Sequence, residues 1–321
     1  MKRIVAAILI LAALISNLYG CAKNDEDSRI SVVCTLFPQY DFVRAVAGDK
    51  VKAELLLSPG EDFREYSPDS ADLAKIAECS LFIYTNEYAE PWVAEKTEKI
   101  KKKKKGLILN VCEGIPIDVN LVHDEHHEEH EHEHEHEHEH EHKHEHNHDP
   151  YVWVLPKNAI KMVENIKDTL CRIDPENAGF YTANAEAYKL NLETLDTKFR
   201  DAVSSAKRKV FIMADRFTLQ YFVMEYSLGY LAALNTFSHR TEPDAATLTK
   251  LREAVLKQGI PAVFYRELSD MKTARKISAD TGARLLQFHG CENLSAEETE
   301  NKETYLSLMQ RNAENLKAAL S

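Results

Sequence analysis

The chain has 321 residues, 44% of them apolar, so it can bury a substantial core, and its length fits two domains better than one. Its formal charge is −12, but residues 121–149 alone carry twelve acids and one lysine. The remainder is therefore close to neutral. This argues against a nucleic-acid partner, which would need a basic stripe on the protein.

The N-terminus predicts an exported protein. Two cations precede an apolar stretch at 4–14, and a small residue precedes Cys21, which together indicate a secretion signal over residues 1–20. The apolar stretch is shorter than the roughly 20 residues of a membrane-spanning helix. The sequence "LYGC" is similar to a bacterial lipobox, which implies a lipid on Cys21 that anchors the protein to the cell envelope, at the periplasmic face or the cell surface. The polar residues 21–29 then form a tether.

Short apolar runs alternate with longer amphipathic segments after the tether, a pattern typical of parallel sheets covered by helices. We predict an N-terminal α/β lobe over residues 30–174. Its helices include 68–78, and its strands are 30–35, 51–57, 81–84 and 107–111.

A histidine-rich segment interrupts this lobe at 121–149, and it reads "HEHEHEHEHEHEHKHEHNH" from residue 130. It has no apolar residue from His123 to Asp149, which predicts a surface loop outside the core. Neutral imidazole binds zinc, nickel or copper, and the interleaved glutamates attract divalent cations while raising the histidine pKa values. We therefore predict several weak metal sites, with an inert repeat as the alternative. The candidate ligands are His123, His126, His127, His130, His132, His134, His136, His138, His140, His142, His144, His146 and His148.

A long helix is predicted at 175–206, where Tyr188, Leu192, Leu195, Phe199 and Val203 form one apolar stripe. It would extend about 45 Å at 1.5 Å per residue. A second α/β lobe follows over 207–321. Its predicted strands are 210–213, 230–234, 262–265 and 285–288. The expected fold class is thus α/β, with two lobes that each contain a four-stranded, mainly parallel sheet with flanking helices, joined by one long rigid helix.

Cysteines and short motifs argue against several other classes. Five cysteines remain after Cys21, and none forms a CxxC pair, so we expect buried thiols rather than a disulfide framework. The chain has no GxSxG and no phosphate-cradling glycine loop, so we expect that it is not an enzyme.

Several motifs occur in the order found in one family. They are "CTLFPQYDFVRAVAGDKVKAELLLSPGEDFREYSP", "DPYVWVLPKNAIKMVENI", "DPENAGFYTANAEAYKLNLETLD", "MADRFTLQYF", "VFYRELS" and "YLSLMQRNAENLKAAL". Over about 290 residues the chain resembles the metal-binding lipoproteins of zinc and manganese ABC importers. The resemblance implies a monomer that holds a metal between its lobes and works with an ABC permease and its ATPase. A histidine-rich loop before "DPxVW" is typical of the zinc-specific members, so Zn²⁺ is the expected cargo, ahead of Mn²⁺, Ni²⁺ or Cu²⁺.

The resemblance also implies four metal-binding positions in the cleft. Two carry residues that do not ordinarily bind zinc, Arg64 and Tyr151, while Asp215 and His289 lie near the other two. Arg64 would repel a divalent cation and could instead pair with Asp215. As substitute ligands we consider Glu65 or Glu61 for the first position.

For the second position, His148 or His146 could replace Tyr151 as a ligand. Two functions follow from these alternatives. One is a zinc-capturing subunit whose histidine-rich segment gathers zinc for the cleft. The other is a diverged surface module that buffers zinc and has lost its cleft site.

Overall fold

The computed structural model describes residues 29–96, 106–117, 149–236, 238 and 240–321. The predicted signal segment, Cys21 and the histidines of 123–148 lie outside the described residues, so their roles remain predictions. Among the described residues, no helix is long and apolar enough to cross a membrane. The five cysteines in this part of the chain are free thiols, as expected.

The first lobe is built on four parallel strands in the order β2-β1-β3-β4. Burial drives their formation, because β3, the run "LFIY", is apolar throughout and its first three residues are buried. The strands are β1 (Ile30–Cys34), β2 (Val51–Leu55), β3 (Leu81–Tyr84) and β4 (Leu107–Asn110). Its helices include α1 (Phe37–Ala47) and α2 (Ser70–Glu78), and Asp69 caps the second of these by accepting from two backbone N–H groups.

Two long helices follow in the chain, α3 (Pro156–Ile173) and α4 (Ala178–Ser204). A 3₁₀ turn at Pro175–Asn177 precedes α4, whose 27 residues extend about 40 Å. The apolar stripe of α4 is buried at Leu192, Leu195, Phe199 and Val203. On this side α4 packs against α1 and α3.

The second lobe repeats the arrangement of the first, with parallel strands in the order β6-β5-β7-β8. The strands are β5 (Val210–Arg216), β6 (Gly229–Leu234), β7 (Ala262–Tyr265) and β8 (Arg284–Gln287). The helices are α5 (Gln220–Glu225), α6 (Ala245–Gln258), α7 (Lys272–Thr281), α8 (Ala296–Glu300) and α9 (Tyr305–Leu320). Because α9 also packs against α4, the long helix contacts both lobes, and the predicted fold class is confirmed.

A buried carboxyl ties the ends of two strands together in the first lobe. Glu90 is 1% exposed, and its Oε2 accepts from Thr85 N at 2.5 Å and from Gln39 Nε2 at 3.2 Å. The amide oxygen of Gln39 accepts in turn from the backbone N–H groups of Thr35 and Leu36. Burial raises the pKa of Glu90 to about 7, although these hydrogen bonds oppose the shift.

This raised pKa predicts a specific pH dependence of stability. Between pH 4.5, the ordinary pKa, and about 7, the native state holds a proton that the unfolded state has released, so stability falls as pH rises. The contribution of this one group is on the order of 3 kcal/mol. Glu90→Gln cannot ionise and keeps an acceptor for Thr85 and Gln39. We expect urea unfolding to show a variant close to wild type at pH 5 and more stable than wild type at pH 8.

The matched control for this prediction is Glu314→Gln on the exposed face of α9. Its difference from wild type should be small at both pH values. A Glu90→Gln variant that differs from wild type by the same amount at pH 5 and pH 8 would contradict the raised pKa.

Candidate interlobe site

A pocket of about 290 Å³ lies between the lobes, at the carboxyl ends of the strands of the second sheet. Open α/β sheets bind ligands at this edge. Its wall is dominated by charged side chains, namely Asp62, Arg64, Asp215, Arg216, Arg266, Glu267, Asp270 and Glu292. A depression of about 500 Å³ also runs along α6, but its wall comes from that single helix and converges on no such cluster.

The deepest charges of the pocket form a buried ion pair. Arg266 Nη2 lies 2.7 Å from Glu292 Oε1 and 4.0 Å from Glu267 Oε1, and all three side chains are at most 7% exposed. The guanidinium also lies 5.5 Å from the ring centre of Tyr151, which belongs to the first lobe. Burial lowers the pKa of Arg266, but the negative charges of Glu292 and its neighbours raise it by more. The arginine therefore stays charged.

Arg64 pairs with Asp62 rather than with Asp215, which corrects one of the pairings considered above. Its Nε donates to Asp62 Oδ1 at 3.0 Å, and its Nη2 donates to the second carboxylate oxygen. Burial would raise the pKa of Asp62, but the hydrogen bonds from Arg64 bring it below its usual range. Asp215 lies in the pocket wall, where its Oδ1 accepts from Arg216 N at 2.7 Å.

The third arginine of the pocket, Arg216, donates hydrogen bonds to backbone carbonyls that follow β6. Arg216 Nη1 donates to the carbonyls of Ser238 and Asn235, and its Nη2 donates to the carbonyl of Arg240 at 3.3 Å. Within the described part of the chain, no carboxylate forms an ion pair with it. Burial lowers the pKa of Arg216, and the charges of Arg64 and Arg266 lower it further.

Tyr151 stands behind the pocket wall, in the core of the molecule. It is fully buried, with ring centres of Phe63 and Trp153 each 5.6 Å away. Its hydroxyl has no hydrogen-bond partner among the described residues. Burial raises the pKa of Tyr151, so the phenolate that a metal would require is not formed near neutral pH.

His289 is also buried, and the structure does not place it in the pocket wall. Its Nδ1 accepts from Cys291 N at 2.9 Å, and its Nε2 lies 3.3 Å from Glu298 Oε1. Burial lowers the pKa of His289, but Glu267 and Glu298 raise it more, so the net shift is upward. The protein therefore engages Nδ1 by a hydrogen bond, whereas Nε2 lies near the Glu298 carboxylate without a hydrogen-bond partner among the described residues.

The two substitute carboxylates also stay apart from the pocket wall. Glu65 is exposed, and Glu61 Oε2 accepts from Ser58 N at 3.0 Å across a turn. The other proposed substitutes, His146 and His148, lie outside the described residues. Of the predicted cleft residues that the structure describes, it brings only Arg64 and Asp215 to the wall of the pocket.

The described residues do not form a zinc site. They contain no group of three His, Cys, Asp or Glu side chains arranged to hold a metal ion. A structural zinc site needs about four N, O or S donors, whereas the carboxylates of this pocket lie among three guanidinium groups, which only donate hydrogen bonds.

Sequence reasoning missed Arg216, Arg266, Glu267 and Glu292. A signal was present, because Arg216 ends β5, and Arg266 and Glu267 directly follow β7. Charged side chains at the carboxyl ends of adjacent parallel strands converge on one edge of the sheet. That rule, applied to "VFYRELS", would have found two of the four.

The segment 290–294 joins the two lobes on one side of the pocket. Asn293 Nδ2 donates to Ser58 O at 2.6 Å and to Glu61 O at 2.9 Å. Gly60 N donates to Leu294 O at 2.8 Å, and Trp153 Nε1 donates to Gly290 O at 2.7 Å. The lobes are thus held together by direct hydrogen bonds.

The molecule has two α/β lobes, each with a parallel sheet, that share a long helix and meet at a charged pocket. These features define a two-lobed solute-binding protein. The chain belongs to the family described as zinc-uptake complex component A, periplasmic, whose model matches residues 32–319. This confirms the predicted resemblance. The family is one of solute-binding proteins of transporters and not of enzymes.

Two curated relatives cover nearly the whole chain. Zinc-binding lipoprotein AdcA of Streptococcus pneumoniae is 33% identical over 324 residues, or 99% of this chain and 61% of that protein. High-affinity zinc uptake system protein ZnuA of Bacillus subtilis is 31% identical over 320 residues, or 99% of this chain and 96% of that protein. The chain therefore spans less than two thirds of the AdcA relative but nearly all of the ZnuA relative.

Solved structures agree with the fold. The Zn(II)-bound ZnuA-like domain of Streptococcus pneumoniae AdcA superposes with a TM-score of 0.74 and 30% identity, covering 91% of this chain and 99% of that domain. The metal-dependent lipoprotein YcdH of Bacillus subtilis gives a TM-score of 0.75 and 27% identity, covering 91% and 100% of the two chains.

Proposed function

We propose that this chain is the substrate-binding subunit of an ABC importer for zinc, exported and lipid-anchored to the cell envelope through Cys21. In this role it delivers zinc to a membrane permease, and the ATPase of the importer drives transport through that permease. The observation that supports this most is the two-lobed frame, which matches a Zn(II)-bound domain over 91% of the chain. Relatives named for zinc uptake favour import over a surface zinc buffer.

The histidine-rich segment is the part of the chain best suited to gather the ion. Thirteen of the fifteen histidines lie at 123–148, whereas the described wall of the interlobe pocket contains none. Imidazole suits zinc better than manganese, which prefers carboxylate oxygens. We therefore propose that segment 123–148 captures zinc and that the two-lobed frame docks to the permease.

Zinc titration of the purified chain tests this assignment. Wild type should bind several zinc ions, and a full-length variant with all thirteen segment histidines changed to glutamine should lose most of them, because neutral imidazole supplies the donors. Binding by wild type should weaken as pH falls toward and below the ordinary imidazole pKa of about 6.5. The matched control changes the segment's glutamates to glutamine and keeps its histidines, and it should retain most of the binding.

Uptake measurements test the transport role separately. Bacteria that lack the chain should accumulate less radioactive zinc from zinc-depleted medium, and the histidine-free variant should restore uptake less well than wild type. Unchanged zinc uptake in the absence of the chain would contradict the proposal.

A further inference from the structure

We infer that the guanidinium of Arg266 acts as a permanent cation in the interlobe pocket. It neutralises the carboxylates of Glu292 and Glu267 and so prevents a divalent metal ion from binding to them. The inference rests on the proposed function only for the choice of zinc as the ion to test. It assigns a specificity-determining role to a residue that follows β7, outside the positions at which the family's ligands were expected.

Position and burial support this role. The guanidinium of Arg266 lies between the two carboxylates, at 2.7 Å from Glu292 and 4.0 Å from Glu267, and it faces the ring of Tyr151. The Arg266 residue is only 6% exposed. A guanidinium keeps its charge at any physiological pH, so a divalent ion that approached these carboxylates would meet a fixed positive charge at short range.

The two carboxylates retain unused capacity. Glu267 Oε1 and Glu292 Oε2 are buried and accept no hydrogen bond within the described part of the chain, and Arg266 Nε has no acceptor there. Buried polar groups are normally paired, so these orphaned atoms mark a polar cage that the arginine fills only in part. Without the guanidinium, both carboxylates would present free lone pairs to a cation.

The other arginines of the pocket are engaged elsewhere. Arg64 is held by Asp62 two residues before it, and its side chain is 34% exposed. Arg216 donates to the backbone carbonyls of Asn235, Ser238 and Arg240. Arg266 alone of the three forms its ion pair inside the cage, so it and not Arg64 is predicted to keep metal out.

The test uses the full-length chain in which the thirteen histidines of 123–148 are glutamine, so that zinc binding at the segment does not mask the pocket. This parent should bind no zinc in the micromolar range. Adding Arg266→Gln should create one site per chain, bound about 100-fold or more tightly than in the parent, because a like charge at close range is gone. Adding Glu292→Gln to that variant should abolish the new site.

Arg64→Gln and Arg216→Gln are the matched controls, and neither should gain a site. Circular dichroism establishes that each variant is folded. The inference is overturned if folded Arg266→Gln gains no zinc site, if Arg64→Gln gains one instead, or if the parent binds one zinc that Glu292→Gln removes.

That last comparison leaves Arg266 unchanged, so it decides the matter even if Arg266→Gln does not fold. All of these measurements are made on a chain without segment histidines. Their failure is therefore distinct from a failure of the wild-type titration or of the uptake experiment.

Discussion

Replacing Glu292 with alanine is expected to lower the free energy of unfolding by about 3–5 kcal/mol, because it leaves the guanidinium of Arg266 buried without its partner. The pair is 2.7 Å apart, and neither side chain is more than 7% exposed. Glu267, at 4.0 Å, is too far from the guanidinium to replace the lost hydrogen bond. Equilibrium unfolding in urea at pH 7.5 measures the loss.

The double variant Arg266→Met, Glu292→Leu should recover most of that stability, because the two charges are then removed together and replaced by apolar side chains of similar size. Glu253→Ala breaks the exposed pair with Lys257 on α6 and should change stability little. An equally small loss for Glu292→Ala would show that the Arg266–Glu292 pair is reached by water.

Most of the fold follows from local patterns in the chain. Residues 81–84 form a short apolar run of the kind typical of a buried strand, and β3 occupies Leu81–Tyr84. The predicted helix 175–206 begins later, at Ala178, since Pro175–Asn177 form a separate 3₁₀ turn. The apolar stripe is a property of the sequence, but where the first turn closes depends on local backbone geometry.

The interlobe site was less predictable because its contacts join distant parts of the chain. Arg266 and Glu292 meet only because β7 and β8 are neighbours in the sheet, so their following loops reach the same edge. Arg64 shows the opposite difficulty. Its partner Asp62 is two residues away, and that local bond prevailed over the more distant Asp215 considered from the sequence.

His289 illustrates how a correct strand position leaves the side-chain environment open. It follows β8, as expected for a pocket residue, yet its ring is enclosed by Cys291, Glu298 and their neighbours. Nothing in "LLQFHGC" indicates that α8 and α9 cover this point. The direction of the ring is a consequence of helix packing, which one strand's pattern does not encode.

Asn312→Leu is expected to be a second strongly destabilising substitution. Asn312 on α9 is 1% exposed, and its Oδ1 accepts from His289 N at 2.7 Å while its Nδ2 donates to His289 O at 2.8 Å. Leucine has the same branching and the same number of side-chain heavy atoms but leaves both backbone groups buried and unpaired. At about 1–3 kcal/mol for each group, the loss should be about 2–6 kcal/mol in urea unfolding.

Asn315→Leu on the same helix is the matched control. It removes one bond, from Asn315 Nδ2 to Gln287 O, at a half-buried position that water can reach, so its cost should be smaller. Equal losses for the two variants would contradict the importance of the two hydrogen bonds between Asn312 and the backbone of His289.

These hydrogen bonds fix the backbone of His289, and the same segment continues to Glu292. Asn312→Leu should therefore also weaken the ion pair between Glu292 and Arg266. Unfolding energies of Asn312→Leu, Glu292→Ala and their double variant should then be non-additive, with the double variant losing less than the sum.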